Sequence, residues 1–236
     1  MLAGDICTAK YINKEESPYG KIFRNFFAEC SKNYNKVLYV MGNHEHYGGN
    51  LTFTAERLRE CTDNFANIHL LDREVEIYDG WNFVGATLWT DFAGNNPNAM
   101  LLAEQGMNDY KTIRIGGSYQ KLFAKHILRE FQVTLSWIED TFETLAGPTF
   151  MVTHHHPSFQ SINARYKGSP YNPLFASELS GLISRYPQIK YWAAGHTHSS
   201  VDYVTDQCRV IGNPRGYPPS LGGNNPTFNP NFTITL

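Results

Sequence analysis

The chain has 236 residues, enough for one domain with a well-buried core. Hydrophobic residues make up 42% and charged residues 18%, the formal net charge is −2, and there is no lysine or arginine run. This balance excludes a broad nucleic-acid-binding face, although a local centre can still hold a phosphate. No apolar stretch approaches the ~20 residues of a membrane helix, and Met1-Leu2-Ala3-Gly4-Asp5 lacks the basic and apolar regions of a signal peptide. Cys7, Cys30, Cys61 and Cys208 form no C-x-x-C pair, which predicts free thiols and a cytoplasmic protein.

Met1 to Ile6 reads as the end of a buried strand that breaks at Gly4 and exposes Asp5. Ser17-Pro18 is a helix start, with Ile22, Phe23, Phe26, Phe27 and Cys30 following on one helical face. Val37–Val40 is a buried strand that delivers Met41-Gly42-Asn43-His44-Glu45. Leu51, Ala55, Leu58 and Cys61 mark a second helix with Thr52 as its cap. Ile68–Leu71, Val75–Tyr78 and Phe83–Leu88 read as strands, with Asp79-Gly80 as the turn of a hairpin. Periodicity is lost from Thr90 to Gly117, a connection long enough to be functional or mobile. From about Tyr119 to Leu145 apolar residues recur at spacings of three and four until Gly147-Pro148, a core-packing helix. Thr149–Thr153 is a strand ending in His154-His155-His156, and Ser158 to Pro173 is irregular. A short helix lies near Ser177–Ser184, and Lys190–Ala194 is a strand breaking at Gly195 before His196-Thr197-His198. Val201–Val204 with Arg209–Ile211 reads as a hairpin, and Phe232–Leu236 as a last strand. With no repeat and no linker, residues 1–236 read as one domain.

Four times a buried strand ends in a turn that presents metal-binding residues: Asp5, Asn43-His44, His154, and His196 with His198. One histidine after a strand is more often a surface residue than a ligand; the set is what carries weight. Oxygen and nitrogen donors without thiolate suit Mn, Fe, Zn or Mg in a hydrolytic centre. A phosphate ester repels hydroxide, and two cations ~3.5–4 Å apart lower the pKa of a water between them and offset charge in the transition state. A neighbouring histidine can then protonate the departing oxygen.

With Gly4-Asp5, Gly42-Asn43-His44-Glu45, His154 and Gly195-His196-Thr197-His198 in this order, the whole chain resembles the calcineurin-like metallophosphoesterases. Their pattern runs D-x-H, G-D, G-N-H-[DE], a lone H and G-H-x-H. The resemblance implies a four-layer α/β/β/α sandwich and a hydrolase of phosphomonoesters or phosphodiesters that uses metal-activated water. It also implies one or two divalent ions per chain, Mn favoured, with small phosphorylated molecules as substrates. Carried over, Asp5 bridges two metals, Asn43, His154 and His196 complete the shell of the second, His198 belongs to the first, and His44 protonates the leaving group. His155 and His156 are expected beside the site or on its rim. Loops Thr90–Gly117 and Ser158–Pro173, with Asp91, Asp109, Tyr110, Arg165 and Arg215, are expected to wall the pocket. Arg215 contacts phosphate on this reading; otherwise it ties down the Asn213–Tyr217 loop.

The D-x-H element, which belongs on a strand upstream of Gly4-Asp5, has no counterpart here. Without it the first metal keeps only Asp5 and His198, a strand edge and a strip of core are uncovered, and oligomers form more readily. Three arrangements would account for this: a strand beyond Met1, a chain that holds one metal, or a donor from another chain or from His46. The rival function is a catalytically impaired member of the same fold that acts as a binding module.

Overall fold

In the computed structural model, which describes residues 1–236, strands and helices alternate in two blocks. The first contains β1 (Leu2–Ala3), the short α1 (Ala9–Ile12), α2 (Pro18–Asn33), β2 (Val37–Val40), α3 (Thr54–Thr62) and β3 (Ile68–Leu70). The Ser17 hydroxyl caps α2 by accepting from Gly20 N–H, and Pro18 sits in the first turn, where its missing N–H costs nothing. β1, β2 and β3 form a parallel sheet in that order.

The second block opens with the hairpin β4 (Glu74–Tyr78) and β5 (Trp81–Ala86). Its turn residues Asp79 and Gly80 both take positive φ, as a two-residue hairpin turn requires. There follow α4 (Phe92–Asn95), α5 (Pro97–Gly106), α6 (Asp109–Thr112), the ribbon β6 (Arg114–Ile115) with β7 (Gln120–Lys121), and α7 (Ala124–Phe142). β8 (Thr149–Thr153), α8 (Ser180–Arg185), β9 (Ile189–Ala193), β10 (Val201–Thr205) and β11 (Cys208–Gly212) complete it. These strands form a six-stranded sheet in the order β10-β11-β9-β8-β5-β4, parallel inside and antiparallel at both edges.

Side chains alternate across each strand, so each sheet has two buried faces. Val37, Tyr39 and Met41 pack with Phe27 of α2 and Leu58 of α3 in one cluster. Leu38 and Val40, from the other face of β2, meet Phe83, Phe150, Val152 and Ile211 between the sheets. Val84, Met151, Trp192 and Val210 turn to the far side, against Ile127, Phe131 and Ile138 of α7 and Ile183 of α8. Helix, sheet, sheet and helix are thus stacked in four layers. Both metal-presenting turns of the first block and both of the second leave the carboxyl ends of parallel strands, where open α/β sheets bind ligands.

Several expectations need correction. The stretch from Thr90 to Gly117 is largely ordered into α5, α6 and β6, preceded by α4, a single left-handed turn with positive φ from Phe92 to Asn95: Asn96 caps α5 with its side chain and Pro97 opens it. The pattern of α5 hides the helix, because its only fully buried residues are the small Ala99 and Ala103, with Met100 partly covered beside them. α7 starts at Ala124, since Gln120 and Lys121 are used in the ribbon, and His126 Nδ1 accepts the Phe123 N–H at the helix start. Asn50, and not Thr52, caps the segment that leads into α3. Ile22 and Phe26 of α2 are exposed despite sharing a stripe with Phe27. Residues 232–236 form no strand; Ile234 packs on the cluster between the sheets without joining a ladder.

β1 pairs with β2 on one side and with no strand on the other. Beside its open edge runs a cleft of about 1130 Å³ lined by Met1, Leu2, Phe26, Ile211, Phe228 and Ile234, among others, which ends at Asp5. All four cysteines are free and buried, and burial raises their thiols, Cys208 to about 12. Native protein is therefore expected to yield under one equivalent of four to a thiol-specific chromogenic reagent at neutral pH, and all four after denaturation.

Candidate metal centre

The site is assembled around the β1 and β2 turns. Gly4 takes a φ of +84°, and a Cβ on it would lie 2.6 Å from Gly42 N; a Cβ on Gly42 would lie 2.6 Å from Asp5 N and 2.7 Å from His154 Cε1. The two glycines let the turns touch, which brings Asp5 against the Asn43-His44 segment. His44 N–H donates to Asp5 Oδ1 at 2.9 Å.

The turns are locked by Glu45. Its buried carboxylate accepts from Asp5 N (2.9 Å), Ile6 N (2.6 Å), Cys7 N (3.3 Å), Gly42 N (2.7 Å) and the Tyr39 hydroxyl (2.7 Å). Burial and the neighbouring Asp5 charge push Glu45 above the ordinary carboxylate value, while the Tyr39 hydroxyl and the Ile6 N–H pull it back. Nothing in the sequence pattern assigned this role to Glu45; its place three residues after the glycine of a tight turn is the signal that was available.

His154 leaves β8 with its ring oriented by the Ala3 carbonyl, to which Nδ1 donates at 2.8 Å. That bond directs Nε2 toward Asn43 Oδ1 (3.0 Å), His196 Nδ1 (3.0 Å) and Asp5 Oδ2 (3.4 Å). One ligand atom from each of Asp5, His154 and His196 lies within 4.8 Å of the others. Asn43 is held by its own Nδ2, which donates to the Tyr47 hydroxyl at 3.3 Å. Three of the candidate ligands adopt left-handed backbone, Asp5 at φ +60°, His196 at +57° and His198 at +49°. Such conformations cost about 1–3 kcal/mol each and persist where the surroundings over-determine them, often at functional sites.

Burial alone would raise the Asp5 carboxyl, but the charge and hydrogen bond of His154, with His44 behind, hold it well below the ordinary range. Burial likewise opposes a charge on His154, and Asp5 overrides it, raising that imidazole. The Asp5 carboxylate 3.4 Å from Nε2 of His154 places negative charge where a cation would sit. His196 Nε2 is buried without a partner, its ring packed on His155 (4.3 Å) and Phe175 (4.9 Å), so only Nδ1 faces the centre. The donor set is nitrogen and oxygen only, and it fits a divalent ion.

The remaining residues fall into place around it. His198 lines the same cleft but stands outside the convergent group, its Nδ1 donating to the Gly223 carbonyl at 3.1 Å. His44 stacks on Tyr47 with ring centres 4.3 Å apart, and its Nε2 is 3.9 Å from Asp5 Oδ2 and 3.3 Å from the Tyr217 hydroxyl. His155 and His156 are fully buried behind the centre and not on a rim. His156 Nε2 donates to the Gly195 carbonyl at 2.6 Å, which fixes the turn that carries His196. His46 is buried against Trp89 and faces a separate cavity of about 210 Å³, with burial pushing its pKa down to about 3; it supplies no extra ligand to the group.

Of the expected wall residues, only Arg215 lines the cleft. Asp109 is buried under the site and accepts from the Tyr47 hydroxyl at 3.1 Å, Tyr110 is in the core, Asp91 caps the turn at Ala93 and Gly94, and Arg165 lies over Tyr166.

A sequence profile of the calcineurin-like phosphoesterases matches residues 1–200. The chain belongs to this family. The chain is 26% identical over 224 residues to Uncharacterized protein L509 of Acanthamoeba polyphaga mimivirus, covering 89% of this chain and 78% of that protein. Its fold is similar to the crystal structure of Phosphopantetheinyl Hydrolase from Mycobacterium tuberculosis, with a TM-score of 0.63 and 15% identity over 84% of this chain and 76% of that one.

Removing the Glu45 carboxylate tests how the β1 and β2 turns are held together. Glu45→Ala is expected to lower stability by at least about 3 kcal/mol, since each buried donor left without an acceptor costs roughly 1–3 kcal/mol. Glu45→Gln is no rescue, because either orientation of the amide turns its NH2 against at least two N–H or O–H donors. Urea unfolding of the two variants checks both statements.

Proposed function

We propose that the protein is a metal-dependent hydrolase of small phosphomonoesters or phosphodiesters. In this reading Asp5, Asn43, His154 and His196 hold a divalent ion, Asp5 and His198 face a second, and His44 is the acid for the leaving group. The observation that carries it is the meeting of four donors from four separate strand ends around Nε2 of His154, with Nε2 of His44 3.9 Å from Asp5 Oδ2. Mn, Fe, Zn and Mg all suit these donors, and Mn is the first to try.

When bound, such an ion supplies Lewis-acid charge that acidifies water and offsets charge on the phosphate oxygens. The chain's own residues do the rest. The Ala3 carbonyl holds the proton of His154 on Nδ1 and keeps Nε2 turned inward toward the Asp5 carboxylate, where its lone pair is free for the ion. Arg215, on the cleft wall, grips phosphate oxygens with its guanidinium. His44 gives a proton from Nε2 to the departing oxygen, so that an alcohol and not an alkoxide leaves. No helix is long and apolar enough to cross a membrane.

The test is hydrolysis of p-nitrophenyl phosphate, bis-p-nitrophenyl phosphate and glycerol phosphate with added Mn²⁺. His196→Ala is expected to lower all rates by at least about 10²-fold and to lose bound metal by elemental analysis. His44→Ala is expected to retain metal and to fall most on glycerol phosphate, within the ~10²–10⁴-fold that a general acid supplies. Equal rates for the three proteins would favour the binding-module reading instead. One tightly held equivalent of metal per chain is expected at the Asp5–Asn43–His154–His196 group.

A further inference from the structure

We infer that Tyr217 is a positioning residue for His44: its hydroxyl selects which edge of the imidazole faces the cleft. The inference rests on the phosphoesterase reading above for its kinetic consequence, but its geometry stands apart from it. His44 lies face to face with Tyr47, rings 4.3 Å apart and 22° from parallel. Stacking of this kind fixes the plane of an imidazole but not its orientation within the plane. A half-turn about χ2 exchanges Nε2 with Cε1 and Nδ1 with Cδ2 and leaves the stack intact, and the χ2 torsion of histidine is broad and roughly two-fold. A proton donor must have one of these two states and not the other.

Two groups face Nε2, the Asp5 carboxylate at 3.9 Å and the Tyr217 hydroxyl at 3.3 Å, and only the hydroxyl is within hydrogen-bond distance to distinguish the two states. A carbon in that place would leave the hydroxyl without its partner. Tyr217 is itself held from the other side: its ring meets His198 edge-on, with centres 4.6 Å apart and planes at 87°. Its backbone N–H donates to the Gly223 carbonyl at 3.4 Å, the same carbonyl that accepts from His198 Nδ1. The loop is closed by the bridge between Gly216 and Asn224 and by Asn225, whose Nδ2 donates to the Pro214 carbonyl (2.7 Å) and to Ser200 Oγ (2.9 Å). Positive φ at Gly216, Gly222 and Gly223 allows this tight return. A segment from the end of the chain thus places one phenol between the two histidines that flank the centre.

The role differs from that of a wall. If Tyr217 orients His44, its hydroxyl matters in proportion to the need for a proton, and it matters only while His44 is present. Tyr217→Phe keeps the ring against His198 and removes only the hydroxyl. With Mn²⁺, kcat on glycerol phosphate is expected to fall on the order of 10-fold with KM little changed, and to fall at least several-fold less on p-nitrophenyl phosphate, whose leaving group needs little protonation. The double variant His44→Ala/Tyr217→Phe is expected to be no slower than His44→Ala, because the two groups act as a unit. Equal losses on both substrates, or losses that multiply in the double variant, would overturn the proposal. A readout without turnover separates it from the function itself. In long-range ¹H–¹⁵N spectra of the imidazoles, His44, identified by His44→Ala, is expected as one sharp set in the wild type and as doubled or broadened signals in Tyr217→Phe. An unchanged His44 pattern would refute the orienting role. Absence of hydrolysis by the wild type, with the spectral change present, would count against the phosphoesterase reading alone.

Discussion

The site depends on one buried carboxylate. Glu45 gathers three successive backbone N–H groups of the β1 turn, one of the β2 turn and a phenol from within β2. A helix or a ladder would normally satisfy such groups, but the β1 turn has neither, and buried N–H groups must be paired somewhere. Because the acceptor belongs to the chain that follows β2, the two turns cannot separate without stranding five donors at once. The left-handed backbone of Asp5 is tolerated for the same reason, since the strain is local and the hydrogen bonds that hold it are shared.

From that clamp the rest of the centre follows outward. Ala3, next to the clamped turn, directs His154; His154 meets His196; His156 pins the Gly195 carbonyl and so the turn that carries His196. His154, His156 and His198 each use one ring nitrogen on a backbone carbonyl, of Ala3, Gly195 and Gly223 respectively. The arrangement fixes tautomers through bonds to groups that cannot titrate, which is how ligand imidazoles are commonly oriented.

Much of this was legible beforehand because its causes are local. A strand of β-branched and aromatic residues ending in glycine and a polar turn marks both an element and the place where it must present something, as at Val40–Asn43 and Thr153–His154. The Ser17-Pro18 and Asp79-Gly80 signals act within a few residues and were equally plain. What escaped has distant causes. α5 buries so little that only its cap announces it, and Ile22 looks like core until the neighbouring layer fails to cover it. Asp109 reads as a pocket wall until Tyr47 is seen above it. Tyr217 lies 173 residues from His44, and no spacing rule reaches that far.

The outer wall of the cleft is built differently from its floor. Asn43 and His154 rest on buried strands between two clusters of the core, whereas residues 215 and 217 to 224 are exposed and tied down by a few backbone and asparagine contacts. Substitutions there disturb little packing, and exposed positions away from special contacts usually shift stability by less than about 0.5 kcal/mol. On the reading proposed above, preference among leaving groups can therefore drift through the tail while the floor stays constant, so that descendants of one scaffold diversify in what they accept before they change what they do to it.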